Sequence, residues 1–88
     1  MKRECELCGK WDYLERHHIF FGNKQRKISE KYGATINICP ECHRTGPNAM
    51  HKNMFWCLQV QEQEQRRLMK KYGWSIQDFI KIFGKNYL

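Results

Sequence analysis

Cys5 and Cys8, and then Cys39 and Cys42, form two Cys-x-x-Cys pairs in a chain of 88 residues. A domain this short buries too little apolar surface to be stable on its core alone, so it needs a staple. The fifth cysteine, Cys57, makes the count odd and argues against a pure disulfide framework. Four thiolates on two short turns are what a closed tetrahedral zinc site requires. A single pair reads equally as a redox motif, but two separated pairs in a small basic chain read as Zn2+ ligands. The 30 residues between the pairs exceed the spacing of a zinc ribbon, so folded structure stands between the knuckles. Removing the metal is then expected to unfold the protein.

The N-terminal stretch MKRECELCGKW has no apolar h-region, and nothing in the sequence reads as a membrane span. The expectation is a cytoplasmic, non-secreted protein, where paired thiols bind metal in preference to forming disulfides. Sixteen Lys and Arg against nine Asp and Glu give a formal charge of +7. That balance suits a polyanionic partner such as nucleic acid, and it also suits a merely soluble basic surface.

Residues 1–10 read as a zinc knuckle turned at Gly9, and residues 11–21 as one aromatic-rich strand. Gly22 and Asn23 end that strand, and the run GNKQRK reads as an exposed basic loop carrying Lys24, Arg26 and Lys27. Ala34 to Ile38 reads as a second strand leading into the second knuckle. Gly46 and Pro47 forbid a continuous helix across residues 44–53. A helix is predicted from an Asn53 cap to a Gly73 stop, with a polar middle, QVQEQEQRR, that reads as solvated. Ser75 and Asp78 form a capping arrangement for a last helix ending at Gly84, with Ile76, Phe79, Ile80 and Phe83 along one face. Cys57 reads as a small buried apolar residue, and Trp11, Trp56 and Trp74 as core anchors. The organisation expected is a core over residues 1–53 with a helical extension over 54–88 packed on the same domain.

All four histidines, His17, His18, His43 and His51, lie beside or between the cysteine pairs. Adjacent strand residues point to opposite faces, so His17 and His18 share a site only if the strand bulges or bends. The order Cys-x-x-Cys, His17-His18-Ile19, Asn37, Cys-x-x-Cys-His43 resembles zinc-stabilised HNH endonucleases, and the C-terminal run GWSIQDFIKIFGKNYL is similar to the tails of small phage-encoded HNH-like proteins. The resemblance covers roughly residues 5–51.

What the resemblance implies is a small α+β, treble-clef-like ββα-metal core that hydrolyses DNA phosphodiester bonds, nicking its substrate. His18 would be the general base and His17 a metal ligand, Asn37 would brace the hairpin, and His43 would be a further ligand. Here the chain departs from the simplest pattern, because His51 follows eight residues later, beyond Gly46 and Pro47. Either His43 or His51, or both, then hold a second, catalytic divalent cation: Mg2+, Mn2+, Ni2+ or Zn2+. Hydrolysis needs an activated water and stabilised phosphoryl charge, jobs suited to a neutral imidazole and an open metal site. Lys24, Arg26, Lys27 and Arg44 are the residues expected on backbone phosphates. Two other classes stand beside this reading. One is a non-catalytic zinc module that binds nucleic acid or protein, and the other is a degenerate nuclease whose last helix docks a larger recombination or packaging protein. DNA against RNA, and the oligomeric state, are open at this level.

Overall fold

In the computed structural model, which describes every residue except Asn48, the chain is a small α+β protein with two antiparallel sheets of two strands each. β1 (Arg3–Glu4) pairs with β2 (Trp11–Asp12), and the turn between them carries Cys5 and Cys8. The Gly9 amide donates to the Cys5 carbonyl (2.9 Å) with φ at 78°, so the knuckle turn falls where a glycine is needed.

The single strand expected over 11–21 is broken. β2 ends at Asp12, and β3 is confined to Glu15–His18, where it pairs with β4 (Thr35–Ile38). The register sets Glu15 opposite Ile38, Arg16 opposite Asn37, His17 opposite Ile36 and His18 opposite Thr35. The run expected as a basic loop is the first half of a helix, α1 (Asn23–Tyr32), inserted between the paired strands. Ile28 and Tyr32, one turn apart, pack α1 on the core, and this outweighs the polarity of the residues between them. The Ser29 hydroxyl, fully buried, donates to the Phe20 carbonyl (2.7 Å) and accepts from the Phe20 amide (3.2 Å), tying α1 to the chain leaving β3.

After β4 the chain makes a short π-type helical turn, Glu41–Thr45. Gly46 closes it by donating to the Glu41 carbonyl (2.8 Å), and a Cβ there would stand 2.7 Å from that same oxygen, so only glycine fits. A long and a short helix follow: α2 (Met54–Tyr72), capped by the Asn53 side chain and stopped at Gly73, and α3 (Ile76–Phe83), with a Ser75–Asp78 capping box and a stop at Gly84.

The main core joins Ile19, Phe20 and Ala34 to Leu68, Phe79 and Phe83, so the 54–88 segment supplies half of it. The Phe20 ring lies 4.7 Å from Phe83, 4.9 Å from Tyr87 and 5.5 Å from Phe79. Three expectations need correction here. The polar middle of α2 is not wholly solvated, because Gln61, Glu64 and Gln65 are buried. Gln61 donates to the Ile19 carbonyl (3.1 Å), Gln65 binds Asn86 (2.8 Å) and the Tyr87 amide (2.7 Å), and Glu64 is gripped by Arg67. Trp11 and Trp56 are exposed at 66% and 45%, and of the three tryptophans only Trp74 packs against the core. Ile76 is also exposed, leaving Phe79 and Phe83 as the buried face of α3. No helix among the described residues is long and apolar enough to cross a membrane.

Candidate metal centres

The two knuckles meet. One sulfur from each of Cys5, Cys8, Cys39 and Cys42 lies within 4.8 Å of the others, with Cys8 Sγ and Cys39 Sγ 3.8 Å apart. A tetrahedron with Zn–S of about 2.3 Å has sulfurs separated by about 3.8 Å. Backbone amides point at the cluster: Leu7 N–H (3.4 Å) and Cys39 N–H (3.3 Å) both donate to Cys5 Sγ. Burial pushes the Cys5 thiol up, yet amide donors from Cys8, Cys39 and Leu7 outweigh it and bring it down to about 6. Cys39 and Cys42 are held above the ordinary thiol range, first by burial and then by the crowding of neighbouring thiols. Four thiols so crowded, one already acidic, are a donor set that a divalent cation relieves, and the group can hold a metal such as zinc. Cys57 stands apart, buried in α2, as expected of a small apolar residue.

A second donor group forms from histidines. One ring nitrogen from each of His17, His43 and His51 lies within 4.8 Å of the others. His43 and His51 both join His17 in this group, and the backbone shows how they come together. The chain doubles back after Gly46, with Met50 N–H donating to the Cys42 carbonyl (2.8 Å) and His51 N–H to the His43 carbonyl (3.2 Å). Eight residues of separation in sequence become ring nitrogens 3.0 Å apart, Nε2 to Nε2. His17 is buried at 3% exposure, whereas His51 is exposed. Burial pushes His17 down to about 4, and nearby His43, His51 and His18 act in the same direction. His51 is lowered too, by burial and then by His43. His17 therefore stays neutral, with a lone pair available, well into mildly acidic solution, which suits a metal ligand.

His17 and His18 do not share a face through a bulge, since the β3–β4 ladder is regular across them. His18 is the last residue of β3, however, and both histidines border one cleft of about 260 Å³ with Arg16, Phe21, Arg26, His43 and His51. Its rim continues into a wider groove of about 880 Å³ lined by Arg16, His18, Phe21, Asn23, Arg26, Lys27 and Glu30. His18 Nε2 lies 2.8 Å from Glu30 Oε2, and Arg16 pairs with the other Glu30 oxygen (3.2 Å).

The other sequence candidates divide. Arg26 and Lys27 line the groove, on α1 and not on a loop, while Lys24 does not. Arg44 is engaged by Glu15, with Nε 3.1 Å from Oε1 and Nη2 2.6 Å from Oε2. Asn37 is not among the residues that line the histidine cleft. It stands opposite Arg16, its amide donates to the Glu6 side chain, and its carbonyl accepts from Glu6 N–H (3.1 Å), so its backbone ties the first knuckle to the hairpin. Glu15 and Glu30 were not anticipated. Glu15 precedes His17 by two residues and so shares its strand face, a signal present in the sequence, whereas the approach of Glu30 depends on how α1 docks.

Compared with protein-family models, with curated proteins and with solved structures, the chain matches none.

Proposed function

We propose that this chain is a metal-dependent endonuclease of the HNH kind, hydrolysing DNA phosphodiester bonds at the histidine cleft. The observation that carries the reading is the convergence of His17, His43 and His51 on one point, with His18, the next residue along the strand, bordering the same cleft beside Arg16 and Arg26. The ββα-metal architecture is supported by a β3–β4 hairpin bearing His17, followed by the cysteine pair and the helical turn that presents His43.

The roles follow from chemistry. His17, His43 and His51 would hold a divalent cation, which supplies Lewis-acid stabilisation of the phosphoryl and leaving-group oxygens. Arg26 and Lys27 neutralise phosphate charge along the groove and orient the strand without reading its sequence. His18 is the general base. Donating Nε2–H to Glu30 leaves its lone pair on Nδ1, which takes the proton of a water as the water oxygen attacks phosphorus and the P–O bond to the leaving sugar breaks. The leaving oxygen takes its proton from solvent. Cys5, Cys8, Cys39 and Cys42 would fill all four positions of a bound zinc ion, which would then serve the fold and not the chemistry.

The test is nicking of supercoiled plasmid by zinc-loaded protein with added Mg2+, Mn2+ or Ni2+, beside a folded His18→Ala variant. Metal-dependent nicking that falls by about 100-fold or more in the variant supports the reading. Zinc-loaded wild type that binds DNA but leaves the plasmid intact with every metal replaces it by the non-catalytic zinc module.

A further inference from the structure

Glu15 lies outside the ring of donors and touches one of them. Its Oε1 is 2.8 Å from His43 Nδ1, and both its oxygens are held by the Arg44 fork. With both its oxygens already accepting from the guanidinium fork, the Glu15 carboxylate accepts from His43 as well, so His43 Nδ1 is the donor in this contact. A neutral His43 then carries its lone pair on Nε2, the nitrogen 3.0 Å from His51 Nε2.

The scaffold makes the contact rigid at both ends. Glu15 sits on β3 opposite Ile38, which is fully buried, and on the same strand face as His17. His43 and Arg44 are consecutive in the turn Glu41–Thr45. One carboxylate therefore fixes the ring of one ligand and is itself fixed by the neighbouring residue of the same turn. Ligand histidines whose other ring nitrogen donates to a carboxylate are held in one tautomer and made more basic.

We infer that Glu15, gripped by Arg44, is the positioning residue of the histidine centre: it sets His43 with Nδ1 protonated and Nε2 turned toward His17 and His51. This rests on the metal reading of the three histidines given above. It also gives Arg44 a structural duty in place of the phosphate contact expected from the sequence. A bare tie between hairpin and turn would make the same ion pair without affecting which His43 nitrogen carries the proton.

The experiment uses full-length protein with zinc on its cysteines, and reads the His43 tautomer by ¹⁵N NMR and then Ni2+ uptake by calorimetry. Wild type is expected to show the Nδ1–H tautomer and to bind one Ni2+. Glu15→Ala is expected to lose that tautomer and bind Ni2+ about 10- to 100-fold more weakly, with Glu15→Gln and Arg44→Ala in between. Should Glu15→Ala fail to fold, Glu15→Met decides in its place, because it keeps the side chain's length and removes the acceptor for Nδ1–H. Wild-type tautomer and Ni2+ affinity in the folded variants overturn the positioning role alone. Wild type that takes up no Ni2+ at its histidines overturns the centre itself.

Discussion

His51 Nε2 stands 3.0 Å from His43 Nε2 although Gly46 and Pro47 interrupt the chain between them. The fold-back that joins them is local and backbone-driven, so the exposed His51 side chain contributes to the cluster more than to folding. His51→Ala is expected to leave stability within about 0.5 kcal/mol of wild type. The same change should weaken divalent-metal binding at the histidines by about 100-fold or more, since loss of a direct ligand exceeds loss of an outer partner. Chemical denaturation beside metal titration checks both halves, and unchanged metal affinity would remove His51 from the centre.

A pH dependence follows from His17, which burial lowers from 6.5 to about 4. As pH falls through 6.5 the unfolded chain takes up a proton that the folded chain refuses, so stability declines between pH 6.5 and 4. The loss attributable to this residue is on the order of 3 kcal/mol once pH 4 is reached. ¹⁵N NMR of zinc-loaded protein should show His17 neutral from pH 7 to about 5, whereas an ordinary exposed histidine titrates near 6.5. A His17 midpoint near 6.5 contradicts the burial argument.

Arg26 and Lys24 lie two residues apart on α1, and only Arg26 lines the groove. Arg26→Ala should weaken DNA binding uniformly across sequences and reduce the magnitude of the log–log salt slope by about 1. Lys24→Ala, with the same change in charge, should have a much smaller effect. Equal losses in both variants would mean that net charge, and not the groove, determines binding.

Phe79 joins residues on both sides of the 53/54 boundary, packing on Phe20 and stacking on Phe83 at 4.6 Å. Phe79→Ala is expected to cost about 3–5 kcal/mol, the range for a fully buried phenylalanine. Thermal unfolding should still occur in one transition, with the knuckles and the last helix melting together. A second, separate transition would show that the C-terminal helices fold as their own unit.

What could be read in the sequence was local. Cys5-x-x-Cys8 and Cys39-x-x-Cys42 declare themselves by spacing, and Asn53, Gly73, the Ser75–Asp78 box and Gly84 mark helix ends because capping needs only residues close in the chain. Grouping His17, His43 and His51 required the resemblance to set their roles, and the fold-back at Gly46 to bring His51 in. Helix α1 was hidden by its basic residues, although Ile28 and Tyr32 at i and i+4 carried the signal. Burial of Gln61 and Gln65 was not legible, because their partners, the Ile19 carbonyl, Asn86 and the Tyr87 amide, are distant in sequence. The exposure of Trp11 and Trp56 escaped for the same reason, since side-chain size does not say which face of the fold a residue lands on.

The proposed function requires two metal centres with different donors and different work within one small chain. X-ray absorption at the zinc and nickel edges of protein loaded first with Zn2+ and then with one equivalent of Ni2+ measures this directly. Zinc is expected to be surrounded by four sulfurs at about 2.3 Å, and nickel by imidazole nitrogens and solvent oxygens with no sulfur. A single bound metal, or nickel bonded to cysteine sulfur while the histidines remain free, would contradict the proposed function.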